Sequence, residues 1–205
     1  MSLFPEMLES DRLRYEALRP ETFDPLDFYQ YVNADAPHID EITRYVTWDP
    51  HETPKESAEF IERSGEQFAN GEASQYALYA TEGELAGEFV GMGGLGVDWD
   101  RELATLGAWL RKQAWGNGYS GERAARLLEL AFDRLDLAMV AVKHVPENEP
   151  SERAITKYVD RFGGRREGRM RRSTVDPDGG VYDMVRYTIS QAEFEANRCE
   201  RTRRK

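Results

Sequence analysis

A single cysteine, Cys199, in 205 residues leaves nothing to form an internal disulfide and nothing to build a thiolate metal site. The three histidines, His38, His51 and His144, are too scattered for a site of defined ligand spacing, so no metal is expected. No apolar run approaches the ~20 residues that span a bilayer. The opening "MSLFPEMLESDR" also lacks a basic-then-apolar export pattern, so no membrane partner is expected and a cytoplasmic protein is. Positive charge is short too: 27 basic residues against 38 acidic ones leave a net charge of −11, a surface that disfavours phosphate backbones and argues against nucleic acid as a partner. Of the basic residues only 5 are lysine and 22 are arginine, a mix that reads as salt adaptation, as in a halophile. Self-repulsion at this charge relaxes as salt screens it, so the melting temperature is expected to rise from low to molar potassium chloride. A flat or falling series would dismiss salt adaptation.

Apolar and aromatic side chains are plentiful, 40% and 11% of the chain, which at this length supports one well-buried globular domain. The expected domain is 1–192. Residues 193–205 read as a charged, solvated tail holding Cys199 as a bystander and ending in the basic cluster "RCERTRRK". Glycine and proline punctuate the rest without any repeat. "RLRYEAL" (12–18) predicts a first strand, 25–33 a short helix, and 42–54 a loop bearing aromatics. Thr53, Pro54 and Glu56 read as N-cap, first helical position and capping box of a helix whose Ala58, Ile61 and Phe68 share a face and which Asn70 and Gly71 end. Runs at 75–81, 85–95 and 103–110 predict an antiparallel meander. The stripe Ala124, Leu127, Leu128, Ala131 and Leu135 predicts a helix over 120–135 that covers a sheet. The continuous apolar run at 138–145 reads as a strand buried on both faces and parallel to 103–110, which makes a βαβ unit. A helix at 151–161 and strands near 165–174 and 181–190 complete an α+β plan.

Gly116 and Gly118 fall at the strand-to-helix turn of that βαβ unit, where a helix N-terminus offers unpaired amides and the positive end of its dipole. Without a Cβ in the way, the backbone itself can close on an anion. No Lys-Ser/Thr follows the second glycine, which excludes a Walker loop, and no third glycine stands at the dinucleotide-binding spacing. A pyrophosphate held without a catalytic metal remains.

Gln113, Gly116 and Gly118 fit Q/R-x-x-G-x-G/A, the acetyl-CoA pyrophosphate loop of the GNAT acetyltransferases, and they do so in the required strand–loop–helix context. Around them "ATLGAWL" (104–110) resembles the strand "AEIGYWL", "WGNGYSGE" (115–122) resembles "WGKGYATE", and "VPENEPSERAITK" (145–157) resembles "DPENEASIRVLEK". These belong to the RimJ/RimL-type branch, which acetylates the N-terminal amine of ribosomal proteins, and to its small-molecule-acetylating relatives. The resemblance runs over about 13–189. It implies a GNAT fold: a single mixed, mostly antiparallel twisted sheet of about seven strands, a central parallel pair splayed at the acetyl-CoA site, and about four flanking helices.

By the same resemblance, the backbone amides of Trp115, Gly116, Asn117, Gly118, Tyr119 and Ser120 cradle the pyrophosphate, and the pantetheine arm pairs with the strand edge near Leu110 and Lys112. For the side chains of Trp109 and Leu110, core packing is the plainer reading. Asn148 matches an asparagine that hydrogen-bonds the CoA arm, and Ser151 a serine near the leaving sulfur; both residue types are also favoured at a helix start, which Pro150 marks. Many GNAT enzymes outside this branch carry a general-acid tyrosine seven residues after that asparagine, and here the position is Ile155. Ser151 is then the first candidate to protonate the thiolate and Tyr158 the second. Thr105 replaces the branch's glutamate, and "KYVDRFGG" (157–164) stretches the usual "KLGF". Glu88 and Glu102 are candidate bases acting through a water, or solvated carboxylates. Trp48 would lie over the acceptor groove, as a substrate contact or as a loop anchor.

The activity implied is acyl transfer from acetyl-CoA to a primary amine, by direct attack and without a metal or a covalent enzyme intermediate. The acceptor is a protein N-terminus, or a small molecule such as an antibiotic, polyamine or amino acid; a homodimer is left open. A free α-amine, with a pKa of about 7.7–8.0, is roughly a tenth unprotonated at neutral pH, against roughly one in two thousand for a lysine at about 10.4. An α-amine therefore suits a site with no clear base. The missing glutamate also leaves a non-catalytic CoA-binding regulator as an alternative of another class.

Overall fold

The computed structural model describes residues 2–176 and 179–202, with the side chains of 199–202 excepted. Cys199 as a bystander thiol and the last basic residues, Arg203 to Lys205, therefore lie outside the description. The chain divides into two compact units, one made of the residues up to Gly96 with Gly107–Arg123, the other of Val97–Leu106 with the residues from Ala124 on.

The first unit contains β1 (Met7–Glu9), β2 (Leu13–Ala17), β3 (Ala73–Ala80), most of β4 (Phe89–Asp98) and the second half of β5 (Leu103–Leu110), neighbours in that order. From β1 to β4 each pairs antiparallel with the next. Three helices belong to it: α1 (Pro25–Val32), α2 (Ile39–Thr43) and α3 (Pro54–Asn70). Asp24 caps α1 by accepting from the Leu26 amide at 2.7 Å, with Pro25 at the first position, the combination that satisfies an otherwise orphaned donor. At α3 the expected box forms only by its glutamate half. The Glu56 carboxylate accepts from the Glu52 amide at 3.0 Å and the Thr53 hydroxyl at 3.1 Å, while Thr53 makes no side-chain cap. Ser57, Ile61, Ser64 and Phe68 form the buried stripe of α3, and Ala58 is only half-buried. Two members of that stripe are serines whose hydroxyls are satisfied, Ser57 by His51 and Ser64 by the Phe60 carbonyl, so hydropathy alone does not reveal them.

The second unit contains the first half of β5, then β6 (Met139–His144), β8 (Val181–Ser190) and β7 (Arg165–Val175) in that spatial order. β5 and β6 run parallel through four pairs, from Leu103↔Met139 to Leu106↔Val142. β6 with β8 and β8 with β7 are antiparallel. Helix α4 (Tyr119–Glu129) begins in the first unit and continues into the second, where it widens into a π turn over Leu130–Arg134 instead of running evenly through 120–135. The expected stripe Ala124, Leu127, Leu128, Ala131 and Leu135 is buried throughout. Helices α5 (Glu149–Arg161) and α6 (Gln191–Thr202) follow. Phe194 of α6 sits 5.1 Å from the Phe132 ring and 5.4 Å from Phe162, and burying such a ring contributes about 1.5–3 kcal/mol, so the segment beyond 192 is helical to Thr202 and anchored at Phe194.

The α+β plan, the mostly antiparallel pairing and the parallel pair are as the sequence implies. The described residues hold eight strands and six α-helices, exceeding the expectation by β1, α2 and α6. Three and five residues are too few to show a period, and α6 is dominated by charge. Among the described residues no helix is long and apolar enough to cross a membrane.

Candidate functional site

In the first unit β5 ends at Leu110, a 3₁₀ turn covers Lys112–Ala114, and the chain reaches α4 through Gly116, Asn117 and Gly118. The connection is held by its carbonyls. The Trp115 indole donates to the Leu110 carbonyl at 2.8 Å, the Trp115 amide to that of Lys112 at 3.0 Å, and the Asn117 side chain to the carbonyls of Gln113 and Trp115 at 3.3 Å each. Gly118 offers its carbonyl to the amides of Gly121 and Glu122 at 3.2 and 3.3 Å. Among the described residues the amides of 116–120 have no acceptor, whereas that of Trp115 is already engaged. Both glycines adopt φ of +80°, the left-handed region where a side chain is strained. A Cβ at Gly116 would meet no protein atom within 4 Å. Five free amides in succession, at a helix N-terminus and with open space before them, form an anion-binding concavity, and these residues fit a pyrophosphate.

Glu122, in the first turn of α4, braces this loop. Its carboxylate accepts from the Ser10 hydroxyl at 2.7 Å, the Arg12 amide at 2.6 Å and Arg12 Nε at 2.9 Å, with Arg12 Nη2 at 2.8 Å. Arg12 Nη1 in turn donates to the Asn117 carbonyl at 3.0 Å, and its guanidinium lies 5.2 Å from the buried Tyr119 ring. Sequence reasoning missed Ser10 and Arg12. An acid in a first helical turn is a visible signal, but its partners are more than 100 residues away in the chain.

The other expected residues of this unit make ordinary contacts. Lys112 bonds the Glu41 carboxylate closely and holds that carboxyl below its usual range. Glu88 is exposed and 3.4 Å from Arg111, which also donates to the Phe89 carbonyl at 2.7 Å and lies 4.9 Å from the Tyr31 ring. Trp48 packs on Trp109, 5.6 Å between rings, at the margin of a cluster built on Phe23, Phe28 and Phe89 and joined by half-buried Tyr31, Phe60 and Tyr79. Burial pushes the Tyr79 phenol up to about 12.

His51 fixes the loop that carries Trp48, through a 2.8 Å bond to Ser57 and its amide's bond to the Val32 carbonyl at 2.9 Å. Burial, reinforced by Arg63 and opposed by Glu56, holds it below the ordinary value of 6.5. The folded state therefore disfavours the charged ring, and below about pH 6.5 the unfolded chain takes up a proton first. Stability present above that pH is lost as pH falls. Urea unfolding at pH 8 and pH 5.5 should show the drop, and His51→Gln should reduce it; an equal drop in both proteins would refute the assignment.

In the second unit Asn148 is the N-cap of α5, accepting from the Ser151 amide at 3.1 Å, with Pro150 between them. Ser151, Ile155 and Tyr158 follow at helical spacing on one face, the first half-buried and the other two buried, Tyr158 to 2% exposure. Glu102 is exposed, in the turn entering β5, with φ of +48°, and its carbonyl accepts from the amides of Ala138 and Met139. The glycine loop leaves β5 from the strand's other end. His144 is buried and stacked on Tyr187 at 5.7 Å. Among the described residues no three His, Cys, Asp or Glu side chains come together as a metal site.

The acetyltransferase (GNAT) domain family matches residues 12–158. Among curated proteins, the uncharacterised N-acetyltransferase p20 of Bacillus licheniformis is 23% identical over 155 residues, 75% of this chain and 83% of that one. Among solved structures, RimL, a ribosomal L7/L12 α-N-protein acetyltransferase in complex with coenzyme A, is similar with a TM-score of 0.75 at 17% identity, over 90% of this chain and 98% of that one. The microcin C7 self-immunity acetyltransferase MccE, in complex with acetyl-CoA and AMP, is similar with a TM-score of 0.75 at 19% identity, over 92% and 98%. At these identities the likeness to the two structures is one of fold.

Proposed function

We propose, from the premise that this chain belongs to the GNAT acetyltransferase family and is an acyltransferase, that it moves the acetyl group of acetyl-CoA to a protein N-terminal α-amine. The carrying observation is the row of five unpartnered amides at 116–120, backed by the dipole of α4 and braced by Arg12 and Glu122. These amides hold the pyrophosphate, and the β5 edge at Leu110 and Lys112 receives the pantetheine arm as an added strand. The amine lone pair attacks the thioester carbon, an N–C bond forms, the C–S bond breaks, and the nitrogen gives its proton to water. Ser151 donates a proton to the departing thiolate and regains one from solvent, and Tyr158 is the second candidate for this role. Asn148 serves the site by capping α5 and so placing Ser151 at the helix start. Glu88 is engaged by Arg111, and Glu102 stands exposed in the turn entering β5, which supports an acceptor that needs no strong base, as an α-amine does. RimL, which acts on such an amine, supports the same acceptor.

A small-molecule amine is the second reading. It is favoured by the aromatic set around Trp48 and Trp109, on which a flat acceptor would stack. Thiol release from acetyl-CoA, followed with N-terminal peptides and small amines side by side, decides between them. Peptide turnover alone upholds the proposal and small-amine turnover alone replaces it. Tight CoA binding with no turnover on any acceptor would make the protein a CoA-binding regulator.

A further inference from the structure

Arg123 lies just inside α4, past the glycine loop, and is only 3% exposed. A guanidinium so deeply buried is ordinarily paired with a carboxylate. Here, among the described residues, its hydrogen-bond acceptor is neutral: Nη1 donates to the Gly107 carbonyl at 3.1 Å, and Nε has no partner. Its stem crosses β4 where that strand has no side chain, since a Cβ on Gly93 would stand 2.2 Å from Arg123 Cδ and 3.0 Å from Cγ. Gly93 and Arg123 are thus shaped to each other. An uncompensated buried charge is a poor stabiliser, and apolar replacement of such groups is often neutral or favourable. The reason for keeping it lies at its other end. Gly107 is the first residue of β5 beyond the last parallel pair, Leu106↔Val142, and a Cβ there would meet no atom within 4 Å. Side-chain packing therefore does nothing to orient the Gly107 peptide, and glycine has the freest backbone of any residue.

We infer that Arg123 is a positioning residue: its Nη1–H holds the Gly107 carbonyl and so sets the β5 edge that leads to Leu110 and Lys112, where the pantetheine arm is received. This rests on the acetyl-CoA reading above. Three variants test it: Arg123→Met, which removes the charge and its N–H donors at similar volume; Gly93→Ala, which keeps Arg123 but displaces its stem; and Arg123→Lys, which keeps the charge and an N–H donor. Affinities for CoA and for its nucleotide half, 3′-phospho-ADP, are measured by calorimetry, and turnover with an acceptor that the parent acetylates. A misplaced strand edge should lower CoA affinity and kcat by about tenfold each in Arg123→Met and Gly93→Ala. Binding of 3′-phospho-ADP should stay within about twofold, the Arg123→Met melting temperature should not fall, and Arg123→Lys should keep kcat within about threefold of the parent. Parent-like CoA affinity and kcat in both disrupting variants would overturn the inference, as would an equal loss toward CoA and 3′-phospho-ADP, which marks general damage. If Arg123→Met does not fold, Gly93→Ala decides by the same criteria. A parent that binds neither ligand would instead remove the acetyl-CoA reading itself, and this inference with it.

Discussion

Gly116→Val and Gly118→Val are each expected to weaken CoA binding at least about a hundredfold in calorimetry while the folded protein persists. Both positions have φ of +80°, where a β-branched residue is a steric outlier costing about 1–3 kcal/mol. The backbone relieves that strain by rotating, and rotation turns the amides of 116–120 away from a shared focus. Losing two charge-assisted hydrogen bonds at about 1.5–3 kcal/mol each accounts for a hundredfold or more. The fold tolerates the change because a Cβ at Gly116 meets nothing within 4 Å and one at Gly118 meets only Arg12 Nη2 at 3.5 Å. Unchanged CoA affinity in both variants would falsify the assignment of this loop.

Ser151→Ala is expected to lower kcat by about 10- to 1000-fold with little change in acetyl-CoA affinity, and Tyr158→Phe to do much less. The cap of α5 needs the Ser151 backbone amide and the Asn148 Oδ1, both of which survive in Ser151→Ala, so the loss would be chemical and not structural. Ser151 is half-buried at the helix start, whereas Tyr158, seven residues on along the same face, is buried to 2% exposure. Near-parent turnover in Ser151→Ala beside a large loss in Tyr158→Phe would reverse the roles. Two near-normal variants would mean that water suffices to protonate the thiolate.

Local rules were enough for several elements. Proline at a first helical position, glycine after a last one and a continuous apolar run place α1, α3, α4, α5 and β6 to within a few residues, because caps and periodicity act over one or two turns. The π turn that interrupts 120–135 has no such signal. The free amides of the glycine loop were equally legible, since an unpaired first turn follows from helix geometry alone. Both readings of Asn148 were open at that level; the structure makes it a cap, a role that leaves room for the other.

What the sequence by itself determined is the chemistry available: an acidic α+β chain, a glycine turn at a strand–helix junction with its first-turn amides unpaired, a serine at the start of a later helix, and no thiol or histidine grouping to compete with them. Only the tertiary structure decided what holds those groups in place. The brace of Glu122 on Ser10 and Arg12, the Ser57–His51 bond that fixes the Trp48 loop, and the fit of Arg123 into the gap at Gly93 and onto the carbonyl of Gly107 each depend on a polar side chain whose type, taken alone, does not predict burial. A polar side chain is favourable inside a protein only when its partner arrives with it. That pairing is set by the strands and helices that bring distant parts of the chain together, which neither composition nor local periodicity encodes.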